Sequence, residues 1–316
     1  SLSQATKEEG CAVKILILNG NGFIGTHLAE CLLASGNQVS VFHRSSAPTK
    51  GQADGLHHII GDRDTDLSVL DGQNWDCTVD LGALEPSRVA RLADRGVMQW
   101  GHYILVSSTE VYEPPTLSGF NESSPLRQSD KADGNLMGDY GYRKVLCELA
   151  SDAFPMTTII RPTYVIGRND PTSRFNRWVA RICNGGEVVI PDPSDLPFQA
   201  VDVRDVASFL NSLIVDSKLG TFQLTAPFPP ITFTEVLRTI QDFSPQECHF
   251  VNIPIAELVR SGKGPTDFPL WPGWNESSSE ESGDPSLAML NGFSPRPIDE
   301  SIAWIVEGFL EKSTIL

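Results

Sequence analysis

Short apolar runs recur through the first half of the chain, each followed by a polar or glycine-rich turn and then by residues at helical spacing. Lys14–Leu18 (KILIL) is nearly all apolar, the pattern of a central parallel strand covered on both faces. Asn19–Gly25 (NGNGFIG) follows, then a helix over Thr26–Ser35 that Gly36 and Asn37 end, then a second strand, Gln38–Phe42. Strand, turn, helix and strand within about thirty residues make a parallel crossover unit. The alternation continues with strands at Leu56–Ile60, Thr78–Leu81, Gly101–Ser107 and Thr157–Ile160, and helices at Pro86–Gly96 and Asp139–Asp152. This order predicts an α/β fold with a doubly wound parallel sheet. Beyond Arg161 proline becomes denser, and helices over Phe175–Asn184 and Phe233–Phe243 stand among short loops. Residues 11–160 therefore read as the sheet domain and 161–316 as mostly a smaller substrate lobe. Within the lobe, Phe198–Leu213 reads as a strand entering a helix, and about 198–225 is expected to return to the main sheet. The acidic, low-complexity stretch Asn275–Asp284 reads as a solvated loop.

Composition narrows the partners. The chain has 316 residues, with 24 Lys and Arg against 40 Asp and Glu, a net charge of −16. Clustered cations are what bind phosphate backbones and acidic membranes, so neither nucleic acid nor membrane is an expected partner. No apolar run approaches the ~18 residues of a membrane span. Ser1–Gly10 is polar and acidic, without a basic-plus-hydrophobic leader pattern. The six cysteines (Cys11, Cys31, Cys77, Cys147, Cys183 and Cys248) form no C-x-x-C site and read as thiols in a reducing, cytoplasmic setting. The expected partner is a small-molecule substrate.

The turn after the first strand is the first chemical candidate. Asn19, Gly22 and Gly25 occupy the spaced positions of a G-x-x-G-x-x-G turn, with Gly20 as an extra glycine and Phe23 and Ile24 opening the helix. Such a turn lets backbone approach a pyrophosphate and aims a helix N-terminus at it. Asn tolerates positive φ and can stand at the first position. The second strand ends Phe42-His43-Arg44-Ser45-Ser46, where an NAD site carries an acid for the ribose 2′-hydroxyl. A guanidinium there suits a 2′-phosphate, so NADP(H) is favoured over NAD(H). Asp62, after the third strand, is a candidate for the adenine amine or a plain turn residue.

Tyr140 and Lys144 stand four apart on a predicted helix and share one face. A nearby ammonium is expected to lower the phenol's pKa, suiting it to proton transfer during hydride transfer. Ser108 ends the fifth strand on the carboxyl edge, where a hydroxyl can hold the substrate oxygen. Glu110 reads either as a base-like residue or as a capping or salt-bridge residue. Arg174, Arg177 and Trp178 are candidates for a pocket wall or for a solvated helix face, and Tyr164 could face the substrate. Trp271 and Trp274 read equally as pocket wall or lobe core, and His57-His58 lacks a third ligand for a metal site.

Taken in order, NGNGFIG, HRSS, GDRD, VSSTEVY, Tyr140-x-x-x-Lys144, RPTYVIG (Arg161–Gly167) and VDVRDVA (Val201–Ala207) resemble the short-chain dehydrogenase/reductase superfamily. The likeness is to its extended, NAD-dependent epimerase/dehydratase-like branch, over about residues 13–310, and in texture to the bacterial isoflavone-reductase-like group. It implies a Rossmann-type NAD(P)-binding domain and a catalytic set of Ser108, Tyr140 and Lys144. It also implies cofactor contacts at Asn19, Gly20, Gly22, Phe23, Ile24, Gly25, Arg44, Asp62 and Lys144. A homodimer through Pro86–Gly96 and Asp139–Asp152 follows from the same likeness. Nucleotide-sugar enzymes of this branch carry an arginine for the substrate diphosphate where this chain has Phe198. The expected activity is NADP-dependent hydride transfer to or from a small carbonyl or alcohol. The alternatives are a sugar epimerase or dehydratase using its cofactor transiently, and a non-catalytic cofactor-sensing or RNA-associated protein.

Overall fold

The computed structural model describes residues 12–44, 54–114, 118–128, 136–274 and 282–314. Ser1–Gly10, Ser45, Ser46 and most of Asn275–Asp284 lie outside the described residues.

The strands of the first half are β1 (Lys14–Leu18), β2 (Gln38–His43), β3 (His57–Ile60), β4 (Cys77–Asp80), β5 (His102–Val106) and β6 (Thr157–Pro162). The helices between them are α1 (Phe23–Ala34), α2 (Pro86–Ala93) and α3 (Leu136–Ser151). The second half contributes β7 (Tyr164–Ile166), α4 (Arg174–Cys183), β8 (Gly186–Asp192), β9 (Pro197–Phe198), β10 (Ala200–Asp202), α5 (Val203–Asp216) and β11 (Gly220–Leu224). It closes with β12 (Ile231–Thr232), α6 (Phe233–Asp242), β13 (Cys248–Pro254), α7 (Ile255–Arg260), α8 (Ser286–Leu290) and α9 (Ile298–Thr314).

Seven strands form one sheet in the order β11-β6-β5-β4-β1-β2-β3, every pair parallel. The fold is an α/β, Rossmann-type doubly wound sheet. Ile15 to Leu18 are fully buried because helices cover both faces of the sheet. On one face, Ile15 and Ile17 pack with Leu28, Leu32, Val206 and Leu210 of α1 and α5. On the other, Leu16 and Leu18 pack with Val89, Leu92 and Trp100. α1 starts three residues earlier than its apolar spacing predicts, because the glycine turn itself supplies the first helical turn.

The strand foreseen within Phe198–Leu213 is two short pieces in the small lobe: β9 pairs with β12, and β10 with β7. β11, further along, is the strand that enters the main sheet beside β6. The lobe has its own core, in which Trp178, Phe233, Leu237, Trp271 and Ile302 meet.

Two buried ion pairs, Arg63–Asp80 and Arg161–Glu148, anchor the interior of the sheet domain. Asp80, at the end of β4, is fully buried and takes two 2.7 Å bonds from the Arg63 guanidinium and a third from the Tyr103 hydroxyl. Arg161 of β6 holds Glu148 of α3 through two bonds of 3.1 and 2.7 Å, which fastens the site-bearing helix to the sheet. The five cysteines among the described residues are free thiols. No helix among the described residues is long and apolar enough to cross a membrane.

Candidate active site

A cavity of about 620 Å³ opens along the carboxyl edge of the sheet and under the small lobe. Its floor comes from the turn after β1 and the ends of β4 and β5, and its far wall from Asp170–Arg174 and Pro197–Gln199. That edge is where parallel α/β sheets bind ligands, since the amino ends of the following helices face it.

The glycine turn has the shape of an anion cradle. Asn19 adopts φ 61°, and its amide N–H donates to the Phe42 carbonyl at 2.9 Å, closing the turn over β2. A Cβ on Gly82 would fall on the Asn19 side chain, so a glycine on the neighbouring strand end makes room for asparagine where the pattern expects glycine. Gly22 caps α1 without any side-chain bond, and no acid stands in the first turn, so its amides keep their positive end for a ligand. A Cβ on Gly25 would strike the Gly20 backbone, and one on Gly20 would strike Val41, so both hold the turn flat on the sheet. A Cβ on Gly22 would meet nothing closer than the Asn19 carbonyl at 3.6 Å, which leaves that face open to the cavity. These features fit a dinucleotide pyrophosphate. Phe23 and Ile24 also line the cavity.

Ser108, Tyr140 and Lys144 line the cavity together. The Ser108 side chain is near enough to the Tyr140 phenol to act on its proton affinity, and Ser108 Oγ accepts from the Glu110 amide at 3.2 Å. Lys144 is 3 % exposed and donates from Nζ to the Val106 carbonyl at 3.0 Å. One expectation is corrected here. Burial pushes the Tyr140 phenol up, and the Ser108 side chain offsets only part of that rise. The Lys144 ammonium sits 5.9 Å from the Tyr140 ring centre and is turned to the strand-end carbonyl. Burial also lowers the Lys144 ammonium, against the pull of Asp80 beneath it.

Not every candidate reaches the cavity. Arg44 is exposed at the end of β2, where its charge helps to hold Asp64 ionised, and it does not line the cavity. Asp62 is half-buried, and its carboxylate accepts from the Asp64 amide at 2.9 Å, a turn-forming arrangement. Arg177 donates to the Thr266 carbonyl, while Trp178 and Trp271 are buried and bonded to the Pro269 and Pro193 carbonyls. Arg174 and Tyr164 do line the cavity. His58 bonds His43 at 2.8 Å and His57 bonds Ser40, and no metal-ligating cluster exists among the described residues.

Ser107 and Gly141 escaped the sequence reading, whereas the salt bridge expected at Glu110 is present. Ser107 is buried on the cavity wall, and its hydroxyl has no protein partner. Glu110 pairs with Arg127 at 3.7 Å, and Arg127 also donates to the Glu110 carbonyl at 2.7 Å. Burial raises the Glu110 carboxyl despite those cations. Gly141 lies against the Glu110 carbonyl, where any Cβ would collide, so this glycine lets α3 carry Tyr140 up to the Ser108 turn. The signal was the glycine directly after Tyr140.

A model of the NAD dependent epimerase/dehydratase family matches residues 15–218, from β1 through α5. The chain belongs to that family. The chloroplast stem-loop binding protein of 41 kDa b from Arabidopsis thaliana is 26 % identical over 216 residues. That match covers 63 % of this chain, which spans only about half (55 %) of the relative's length. UDP-N-acetylglucosamine 4-epimerase from Bacillus cereus superposes with a TM-score of 0.71 at 19 % identity, over 93 % of this chain and 98 % of that one. The Bordetella bronchiseptica enzyme WbmH, solved with NAD+, gives 0.72 at 15 % identity over 95 % and 99 %. At such identities these enzymes share the family fold with this chain. The finer likeness to the isoflavone-reductase-like group has no counterpart in these matches.

Proposed function

We propose that this family member is a nicotinamide-dinucleotide-dependent oxidoreductase acting at a carbonyl or alcohol carbon of a small molecule, with NADP(H) favoured. The observation that carries the reading is that Ser108, Tyr140 and Lys144 line the same cavity as the uncapped turn at Gly22. The bound dinucleotide would supply or accept the hydride. The amides at the start of α1 would hold its pyrophosphate, and Lys144 its nicotinamide ribose. Tyr140 donates its phenolic proton to the substrate oxygen in reduction and takes it back in oxidation. Ser108 holds that oxygen by a hydrogen bond. The raised phenol suits the reductive direction, because a protonated Tyr140 is the form that donates. Arg44 supports NADP(H), since no carboxylate follows β2 to hold a ribose 2′-hydroxyl.

A second reading, an internal oxidation–reduction cycle that epimerises or dehydrates a sugar, is favoured by the family match itself. Phe198 speaks against a nucleotide-diphosphate substrate, because it presents a buried ring to the cavity at that position. The Arabidopsis relative is named for binding stem-loops. A net charge of −16 offers no comparable footprint, and we propose no nucleic-acid partner here.

Calorimetric titration with NADPH and NADH in parallel tests the cofactor assignment. NADPH should bind at least about tenfold tighter, about 1.4 kcal/mol, and Arg44→Ala should erase the difference. Equal or tighter binding of NADH overturns the NADP assignment. Nicotinamide that cannot be stripped and is not consumed moves the internal cycle ahead.

A further inference from the structure

The cavity holds several charged side chains, and all but one are satisfied by the protein. Lys144 is bonded to the Val106 carbonyl. Arg127 is spent on the carbonyl and carboxylate of Glu110. Asp170, nearly buried, accepts from the Thr172 amide at 2.9 Å and hydroxyl at 2.8 Å. Arg174 is the exception. It lies over the Tyr164 ring at 5.3 Å and donates from Nε to the Thr172 hydroxyl at 3.3 Å. Among the described residues it has no ion pair, and neither of its terminal nitrogens has a hydrogen-bond acceptor. Stacking and the Thr172 bond orient the guanidinium, and Arg174 lines the cavity. Its charge reaches Tyr140 and Glu110, and it shares the cavity with Ser108 and Tyr140.

We infer that Arg174 is a carboxylate-binding residue and that the substrate is a keto or hydroxy acid, whose carboxylate pairs with Arg174 while its carbonyl or alcohol oxygen meets Ser108 and Tyr140. The inference rests on reading the cavity as a carbonyl–alcohol site. A planar guanidinium presents two parallel N–H bonds that match a carboxylate. A half-buried cation without a counter-ion is costly, and a ligand anion removes the cost. Glu110 and Asp170 stand in the same wall, so a dianionic phosphate would meet two carboxylates where a monoanion meets less repulsion. Tyr164, Pro171 and Phe198 add apolar surface to the same wall, which suits a short carbon backbone.

The test uses pyruvate, acetoacetate and levulinate, each against its own amide, with dihydroxyacetone phosphate as the phosphate arm. Binding to the protein–NADP complex is read by saturation-transfer NMR, and turnover by cofactor oxidation. At least one acid should bind about 30-fold tighter than its amide, equivalent to about 2 kcal/mol. In Arg174→Gln that preference should collapse towards one, through KM more than kcat, and Arg174→Lys should restore part of it. Tyr140→Phe should stop turnover yet keep the acid-over-amide binding ratio, so a failure of the parent reading is visible separately. Equal binding of acids and amides by the wild type overturns the inference, as does a preference that survives Arg174→Gln. Tighter binding of dihydroxyacetone phosphate than of every acid overturns the carboxylate assignment. Should Arg174→Gln not fold, the wild-type acid-to-amide ratio decides alone.

Discussion

Replacing Asp80 by asparagine keeps the shape of the most deeply buried carboxylate at the sheet edge and removes its charge. Arg63, only 4 % exposed, would keep its positive charge beside a neutral amide, and two 2.7 Å charge-assisted bonds would become neutral ones. The Tyr103 hydroxyl would lose an ionised acceptor. Removing one partner of a buried pair costs about 3–5 kcal/mol, because the other charge is left uncompensated. At roughly 2–4 °C per kcal/mol for a chain of this class, Tm should fall by about 6–20 °C. Urea unfolding followed by tryptophan fluorescence measures the loss directly. The double replacement Asp80→Leu with Arg63→Met should recover most of it, since apolar residues of similar volume replace the pair. Burial pushes the Asp80 carboxyl up, but the Arg63 guanidinium and its bonds outweigh this and hold it below the ordinary carboxylate value. Its contribution is therefore present above the unfolded value and is lost as pH falls through the folded one. The gap between wild type and Asp80→Asn should accordingly narrow below about pH 4. A loss under about 1 kcal/mol at neutral pH, within the range of an ordinary exposed pair, would refute the reasoning.

Other residues separate folding from binding and set the proton's sign. Gly22→Ala has an ordinary backbone conformation, with φ −85° and ψ −177°, and its Cβ meets only the Asn19 carbonyl. Stability should change by less than about 1 kcal/mol, while the methyl group entering the cradle should weaken dinucleotide binding at least about tenfold by calorimetry. Because burial raises Tyr140, its tyrosinate absorbance in the cofactor-free protein, isolated by subtraction of Tyr140→Phe, should appear at higher pH than the about 10 of an ordinary tyrosine. A phenolate component below that pH would mean that Lys144 governs the phenol despite its bond to Val106.

The sheet was legible because a strand covered on both faces has no other reading. KILIL could be central or nothing, and the glycines after it fixed the crossover. Asn19 was legible as a turn residue, but its space beside Gly82 was not, since that contact joins two strand ends some sixty residues apart in a register no single segment encodes. Spacing put Tyr140 and Lys144 on one helix face, yet it could not say where a flexible four-carbon stem would aim its ammonium. The Val106 carbonyl decides that, while burial sets the direction of the tyrosine's pKa. Arg44 and Asp62 were read by position along the chain, whereas exposure and a local turn bond set their surroundings. The lobe was the least legible part, because strands of two and three residues carry too little alternation to be seen.

The central claim is that Tyr140 moves the substrate proton in a cavity that also binds a nicotinamide dinucleotide. It is tested most directly by measuring dinucleotide affinity and carbonyl turnover side by side in the wild type and in Tyr140→Phe. The two affinities should agree within about twofold, under about 0.5 kcal/mol, with turnover in the wild type alone. Full turnover by Tyr140→Phe, or a wild-type protein that binds neither NADPH nor NADH, would contradict it.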